Sequence, residues 1–271
     1  MFEITPKQIS ETANKLISNG FKGNAIVAYV DLLGFSQEIK DKWNDMSYDP
    51  LKRMMEIKAF IELAKNGSIY HTFFDYDEQT ILGKTKYPDV ITISDSFIFI
   101  KIMEEEDDLN FILGLLAVTG SIIELWRIAK EKGFTIRGGV DFGELFYTSS
   151  EVIGPAFIDA YNLESKAADV SRIIYSNKIC KMIYDKQSNL HPSLKDYLMR
   201  YFKKDIDDYI ILNPLIPFGY SSDANLDIAL YDFNDLMNNV NNHNARNKYV
   251  NIVEQLYKKN RALSSMEIFN K

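Results

Sequence analysis

Cysteine is nearly absent: Cys180 stands alone in 271 residues, so no disulfide can form within the chain. Histidine is almost as scarce, and His71, His191 and His243 are scattered without the spacing of a zinc site. Positive charge is also short, since 31 Lys and Arg against 38 Asp and Glu leave a net charge of −7 with no basic tail. A nucleic-acid polymer is held through clustered Lys and Arg, so no such partner is expected. An uninterrupted apolar span is missing too. The longest apolar stretch, 109–128, contains Asn110, Ser121, Glu124 and Arg127 and follows an acidic cluster at 104–108. Charges at mid-bilayer are costly, which marks this stretch as the buried helix of a soluble domain. Residues 1–20 lack the apolar centre of a signal peptide. The expectation is a cytoplasmic protein with neither membrane nor polymer partner.

What the chain does have is a pair of acids, each at the tip of an apolar strand. Residues 24–30, Asn-Ala-Ile-Val-Ala-Tyr-Val, lead into Asp31-Leu32-Leu33-Gly34-Phe35-Ser36, and residues 89–93, Asp-Val-Ile-Thr-Ile, lead into Ser94-Asp95-Ser96. β-Branched and aromatic residues dominate both runs, as in interior strands. Two carboxylates brought side by side repel unless a cation separates them, and magnesium typically takes one or two carboxylates plus substrate phosphates. The pair points to a metal-nucleotide site. Taken singly, each acid reads more readily as a helix cap or turn residue, and it is the ordered combination that reverses this. A third segment in the same order, Phe134-Thr135-Ile136-Arg137-Gly138-Gly139-Val140-Asp141-Phe142-Gly143-Glu144, is a strand interrupted by glycines, where backbone or ligand must approach closely.

With these three segments in this order, the chain resembles the class III nucleotidyl cyclases over residues 24–175. Their Asp-hydrophobic-x-Gly-Phe-Ser/Thr motif matches Asp31 to Ser36, their second metal Asp matches Asp95, and their Arg-x-Gly-hydrophobic-x-x-Gly strand matches Arg137 to Gly143. A Gly-led helix with Ala and Leu-Glu at fixed offsets matches Gly154, Ala160, Leu163 and Glu164. Departures from the adenylate and guanylate cyclase pattern are specific. Ile158 and Asn162 stand where those enzymes carry the ribose-holding Asn and the transition-state Arg, and Ile91 stands where a Lys or Glu reads the purine. The longer Asp31-to-Asp95 spacing implies an insertion over 52–87. With these departures the chain looks like the pyrimidine (uridylate and cytidylate) cyclases of bacterial Pycsar anti-phage systems. Asp31 to Ser36, Ser94-Asp95-Ser96, Arg137-Gly138-Gly139, Gly154-Pro155-Ala156 and Ala160-Tyr161 with Leu163-Glu164 carry that closer likeness.

The resemblance implies a homodimer whose site spans two subunits and which turns a nucleoside triphosphate, UTP ahead of CTP, into a cyclic nucleotide read by a downstream effector. It implies two divalent cations, Mn2+ or Mg2+, held by Asp31, Asp95 and the Leu32 carbonyl. The backbone N–H groups of Leu33, Gly34 and Phe35 at a helix start would then take the β- and γ-phosphates. Arg137 is a cation for the phosphates or for orienting the metal Asp, and a structural ion pair is its competing role. Lys166 or Arg172 stands in for the missing cation, and Asn162 lies one helical turn before Lys166. Glu151, with Ile91, is placed at the base: a carboxylate accepts from the N3–H of uracil. Tyr29, Phe73, Phe74 and Tyr76 could stack a base but are more often core at such positions. Gly83-Lys84-Thr85 is not a phosphate loop, because Glu78 occupies the required upstream glycine position. Rival readings are an adenylate or guanylate cyclase with unusual base contacts, and a non-catalytic nucleotide-binding module.

The expected fold class is α/β (α+β), a ferredoxin-like β-α-β-β-α-β cyclase core with an antiparallel-rich sheet and a mostly helical C-terminal extension. The catalytic domain is drawn at 1–176 and the extension at 177–271. Helices are expected at 50–66, with Leu51, Met54, Met55, Ala59, Phe60 and Leu63 as the apolar face, and at 107–132, 154–169, 178–185, 190–201 and 226–261. Strands are expected at 25–31, 89–102 with a central turn, 134–143, 144–147 as a separate pairing strand, 172–175 and 209–217. Residues 70–87 are expected to be loop with a short hairpin, and the Asn-rich 238–247 a frayed or turning segment.

Overall fold

The central strand shows why the chain needs two layers of helix. Residues 25–28, 30 and 32 are at most 1% exposed, so neither face of this strand meets water. A computed structural model describes residues 5–216, apart from 46, 48, 68, 69, 76, 105, 106, 206 and 215. The expected helix at 226–261, the Asn-rich 238–247 and position 217 lie outside the described residues.

The N-terminal elements are α1 (Pro6–Ser18), β1 (Phe21–Leu33), α2 (Phe35–Lys42), α3 (Pro50–Gly67), β2 (Tyr70–Asp75), β3 (Thr80–Lys86), β4 (Asp89–Ile93) and β5 (Ser96–Ile102). They are followed by α4 (Asp108–Glu131), β6 (Thr135–Tyr147), β7 (Val152–Ile153), α5 (Pro155–Lys166) and β8 (Ile173–Tyr175). The last described elements are α6 (Asn177–Lys186), α7 (Pro192–Tyr201), β9 (Phe202–Lys204) and β10 (Ile210–Leu212). The main sheet runs β4-β5-β1-β6-β8-β10-β9, with β7 on β6. Its first four strands are antiparallel neighbours in the ferredoxin-like order. β8 joins parallel to β6, and the fold is mixed α/β as expected.

Alternation along the strands sorts the core into two layers. Ile26, Ala28, Val30 and Leu32 of β1 pack with Phe97, Phe99, Ile136 and Val140 against α3, α4, α6 and α7. On the other face Ala25 and Val27 meet Ile98, Ile100, Leu145 and the small residues Ala156 and Ala160 of α5. α4 is long and apolar enough to cross a membrane, but 78% of its most apolar window is buried inside the fold. α1 is capped by a Thr5–Gln8 box and buries none of its residues.

Three expectations are corrected. β6 is one strand of 13 residues, with no break between 143 and 144, because it pairs along its whole length with β1. Beyond the line drawn at 176, β9 and β10 continue the same sheet through β8. The strand expected at 209–217 is three residues long. On α3 the buried stripe is Met54, Ile57 and Ile61, while Leu51, Met55, Phe60 and Leu63 are exposed. This helix carries apolar residues on more than one side, and the pattern alone selected the wrong stripe. Residues 70–86 form a hairpin of β2 and β3, which stands as its own two-stranded sheet.

Candidate active site

Strand register assembles the site. Ile93, Ser96, Asp31 and Arg137 form one row across β4, β5, β1 and β6, and their side chains project toward α5. Asp95 lies in the β4–β5 turn, where Ser94 takes a left-handed φ of 52° and the Leu32 N–H donates to the Asp95 carbonyl at 3.1 Å. The two acids singled out in the sequence therefore meet at adjacent strand ends.

A second neighbour comes from α5. An added Cβ at Gly139 would lie 2.3 Å from the Ala160 carbonyl and 2.5 Å from Leu163 Cβ, so only glycine lets α5 pack this close to β6. That approach brings the buried carboxylate of Glu164 to 2.6 Å from Arg137 Nε. Arg137 Nη2 lies 3.7 Å from Asp31 Oδ2, and the Ser96 hydroxyl donates to Asp31 Oδ1 at 3.1 Å. Tyr29 Oη and Ser96 Oγ are 2.8 Å apart, which extends the chain of polar contacts along β1.

Among the described residues, one guanidinium is shared by Glu164 and Asp31, and Asp95 adds a further negative charge beside Asp31. Burial, and after it the carboxylates of Asp95 and Glu164, push the Asp31 pKa up to about 7 against the opposing effects of Arg137 and the Ser96 hydrogen bond. A buried acid held this far from its ordinary value, with two other carboxylates acting on it, marks a candidate functional position. All-oxygen donors with mutual repulsion suit a hard divalent cation such as Mg2+ or Mn2+, so the residues fit that group.

The turn after β1 is open. Gly34 has φ 90° and precedes α2 without a side-chain cap, and an added Cβ there would meet nothing within 4 Å. Leu33 and Phe35 bury their side chains and leave backbone at the turn. Ile91 lies in the next cross-strand row with Ile98, Tyr29 and Gly139. The Tyr29 ring is edge-on to Phe157 and Tyr161, with centroids 6.0 and 5.2 Å away.

Other expected site residues are not brought to this cluster. The Arg172 guanidinium lies 2.7 Å from both Asp205 and Asp207 and donates to the Ala167 carbonyl at 2.6 Å, which ties the start of β8 to the β9–β10 connection. Lys166 is exposed in the last turn of α5, and Asn162 is half-buried one turn earlier. Glu151 sits beyond the opposite end of β6, where its N–H donates to Thr148 Oγ1 at 2.9 Å. From Arg137 to Tyr147 the strand runs about 33 Å at ~3.3 Å per residue, so Glu151 cannot meet Asp31 within one chain. Phe73 is core, the Phe74 carbonyl accepts from Tyr197 at 3.3 Å, and Tyr76 lies outside the described residues. Gly83, Lys84 and Thr85 are in β3, not in a phosphate loop.

A separate group escaped sequence spacing. Asp75, Glu78 and His191 bring ligating atoms within 4.8 Å of one another. Asp75 already accepts from the N–H groups of Asp77 and Glu78 and from Ser193 Oγ at 2.6 Å, and His191 Nδ1 accepts from the Ser193 N–H. These bonds pin the β2–β3 hairpin to the start of α7, and no sequence motif links residues 118 positions apart.

No protein-family model matches this chain, and no curated protein matches it. Among solved structures it is similar to the adenylyl cyclase CyaB from P. aeruginosa, with 12% identity, 61% of this chain and 83% of that one covered, and a TM-score of 0.42. It is also similar to the guanylyl cyclase Cya2, with 12% identity, 60% and 80% coverage, and a TM-score of 0.37.

Proposed function

We propose that this protein is a nucleotidyl cyclase that converts UTP to 3′,5′-cyclic UMP and pyrophosphate, with CTP as the second substrate. The observation that carries the reading is the junction of Asp31 and Asp95 at adjacent strand ends, with Asp31 held at a pKa of about 7. In the reaction the ribose 3′-oxygen bonds to the α-phosphorus and releases its proton to water. The bond from that phosphorus to the bridging oxygen breaks, and pyrophosphate leaves with the electron pair. Held by Asp31, Asp95 and the Leu32 carbonyl, two divalent cations would acidify the 3′-hydroxyl and neutralise the triphosphate.

The chain's own groups position these partners. Glu164 holds Arg137, and Arg137 with Ser96 orients Asp31. The open turn at Gly34 offers the N–H groups of Leu33, Gly34 and Phe35 to the β- and γ-phosphates. Ile91 and Tyr29 form an apolar wall suited to a small ring, and Glu151 of a second copy reads its N3–H. Exposed Ile93, Ile158 and Tyr161 on the α5 side of the sheet support a homodimer through that face. With Arg172 committed elsewhere, Lys166 takes the role of transition-state cation, with Asn162 beside it. By its likeness to the Pycsar cyclases, the product is a second messenger of anti-phage defence, sensed by a cyclic-nucleotide effector.

Competition among all four nucleoside triphosphates with manganese, followed by product analysis, tests this. Cyclic UMP as the main product is expected. Preferential turnover of ATP returns the protein to the adenylate cyclase group, and no cyclic product from any of the four removes the enzymatic reading.

A further inference from the structure

The cluster around Asp31 is short of positive charge, and a nucleoside triphosphate would add more negative charge to it. Arg137 is shared between Glu164 and Asp31, and Arg172 is held by Asp205 and Asp207. Another cation approaches from the opposite layer. α3 packs along the edge strand β4, and between them lies a cavity of about 340 Å³ lined by Met55, Lys58, Ala59, Ile61, Glu62, Val90 and Thr92. Lys58 is half-buried in this cleft, and among the described residues it makes no hydrogen bond and no ion pair.

Thr92 and Asp95 are three residues apart, so the cleft opens beside the β4–β5 turn. Asp95 is also the charged group that acts on Lys58: burial lowers the lysine pKa, and the Asp95 carboxylate counters it. A half-buried ammonium with no bond of its own, in a cleft whose wall at Thr92 is three residues from Asp95, suits a ligand that carries several anionic oxygens.

We propose that Lys58 is a phosphate-binding residue of this site, donating from the α3–β4 cleft to the pyrophosphate end of a nucleoside triphosphate seated at Asp95. The contact rests on the cyclase reading and extends it to a residue outside the motifs that suggested that reading. Its stem lies along the cavity wall and its three donors suit phosphate oxygens, which diverge more than those of a carboxylate. During the reaction the ammonium keeps its protons and neutralises charge on the leaving group.

The test is binding of inorganic pyrophosphate and of a non-hydrolysable UTP analogue in the presence of Mn2+, by calorimetry, with Mn2+ alone followed by electron paramagnetic resonance. Lys58→Ala is expected to weaken both phosphate ligands about tenfold or more, the scale of one lost charged hydrogen bond. Lys58→Arg should recover most of that loss, and neither variant should alter Mn2+ uptake or the melting temperature. Wild-type turnover with undiminished pyrophosphate binding in Lys58→Ala overturns this contact and leaves the cyclase reading standing. A wild type that neither binds nor turns over any nucleoside triphosphate removes both. A Lys58→Ala variant that loses Mn2+ uptake to the same degree also overturns the proposal, because the residue then serves the acid cluster and not the phosphates.

Discussion

Arg137 lies on β6 and Arg172 just before the neighbouring β8, and each faces acids, yet their surroundings are opposite. Arg172 is 8% exposed, meets Asp205 and Asp207 at 2.7 Å each and adds a carbonyl, so its charge is matched where it stands. Arg137 is 25% exposed, touches Glu164 closely and Asp31 at 3.7 Å, and leaves Asp31 with a pKa near 7. A matched cluster ties strands together. An unmatched one has room for a further cation, and the difference separates a structural cluster from a candidate site.

Removing the arginine from the matched cluster should have the largest effect. Arg172→Ala leaves the buried Asp205 without its cation, and a loss of about 3–5 kcal/mol of folding stability is expected, read from a denaturant melt. Survival of full stability would mean that the β8–β10 junction does not depend on this pair. Asp95→Ala is the mirror experiment. It removes an acid from an over-acidic cluster, so the fold should stand while cyclase turnover drops at least 10²-fold, a scale set by loss of one charge-stabilising group. Near-native turnover at saturating manganese would make Asp95 a turn residue only.

Two smaller effects sharpen the contrast. Glu164→Gln removes an acid that raises the Asp31 pKa and frees Arg137 toward Asp31, and both changes favour ionised Asp31. The pH midpoint for Mn2+ uptake should therefore move down by about one unit, and a midpoint that stays or rises contradicts the shared-cation geometry. Asp31 itself carries a sign for stability. Its folded pKa lies above the ordinary carboxylate value, so the folded state holds the proton more tightly, and this contribution is full below about pH 4 and lost as pH rises toward 7. Without metal, wild type should lose stability relative to Asp31→Asn between pH 5 and pH 8, on the order of 2 kcal/mol, measured by chemical denaturation in a chelator.

The sequence carried the part of the site that is local. Asp31 and Asp95 each close an apolar run, and the β4–β5 turn returns the chain next to β1, so their meeting was legible from strand pattern and order. The Arg137 strand was legible for the same reason, including the glycine that lets α5 approach. Contacts set only by the tertiary fold were not. Nothing near Arg172 announces Asp205, 33 residues on, because β9 is a three-residue strand with too little pattern to be seen and the strand expected over β10 carries no sign of its partner. The seam between β6 and β1 hid a single 13-residue strand behind Gly143, which looked like a break. Lys58 lies in the insertion and off the motifs, and the apolar stripe expected on α3 is not the one that packs.

The most direct measurement is Mn2+ uptake at pH 8 by electron paramagnetic resonance, with a UTP analogue present, in wild type, Asp31→Asn, Asp95→Asn, Asp75→Asn and Glu78→Gln. The unmatched acids are expected to hold the metal, so Asp31→Asn and Asp95→Asn should lose uptake at least tenfold while Asp75→Asn and Glu78→Gln keep it. Uptake retained in the first two variants and lost in the second two would move the metal to the β2–β3 hairpin and contradict the account.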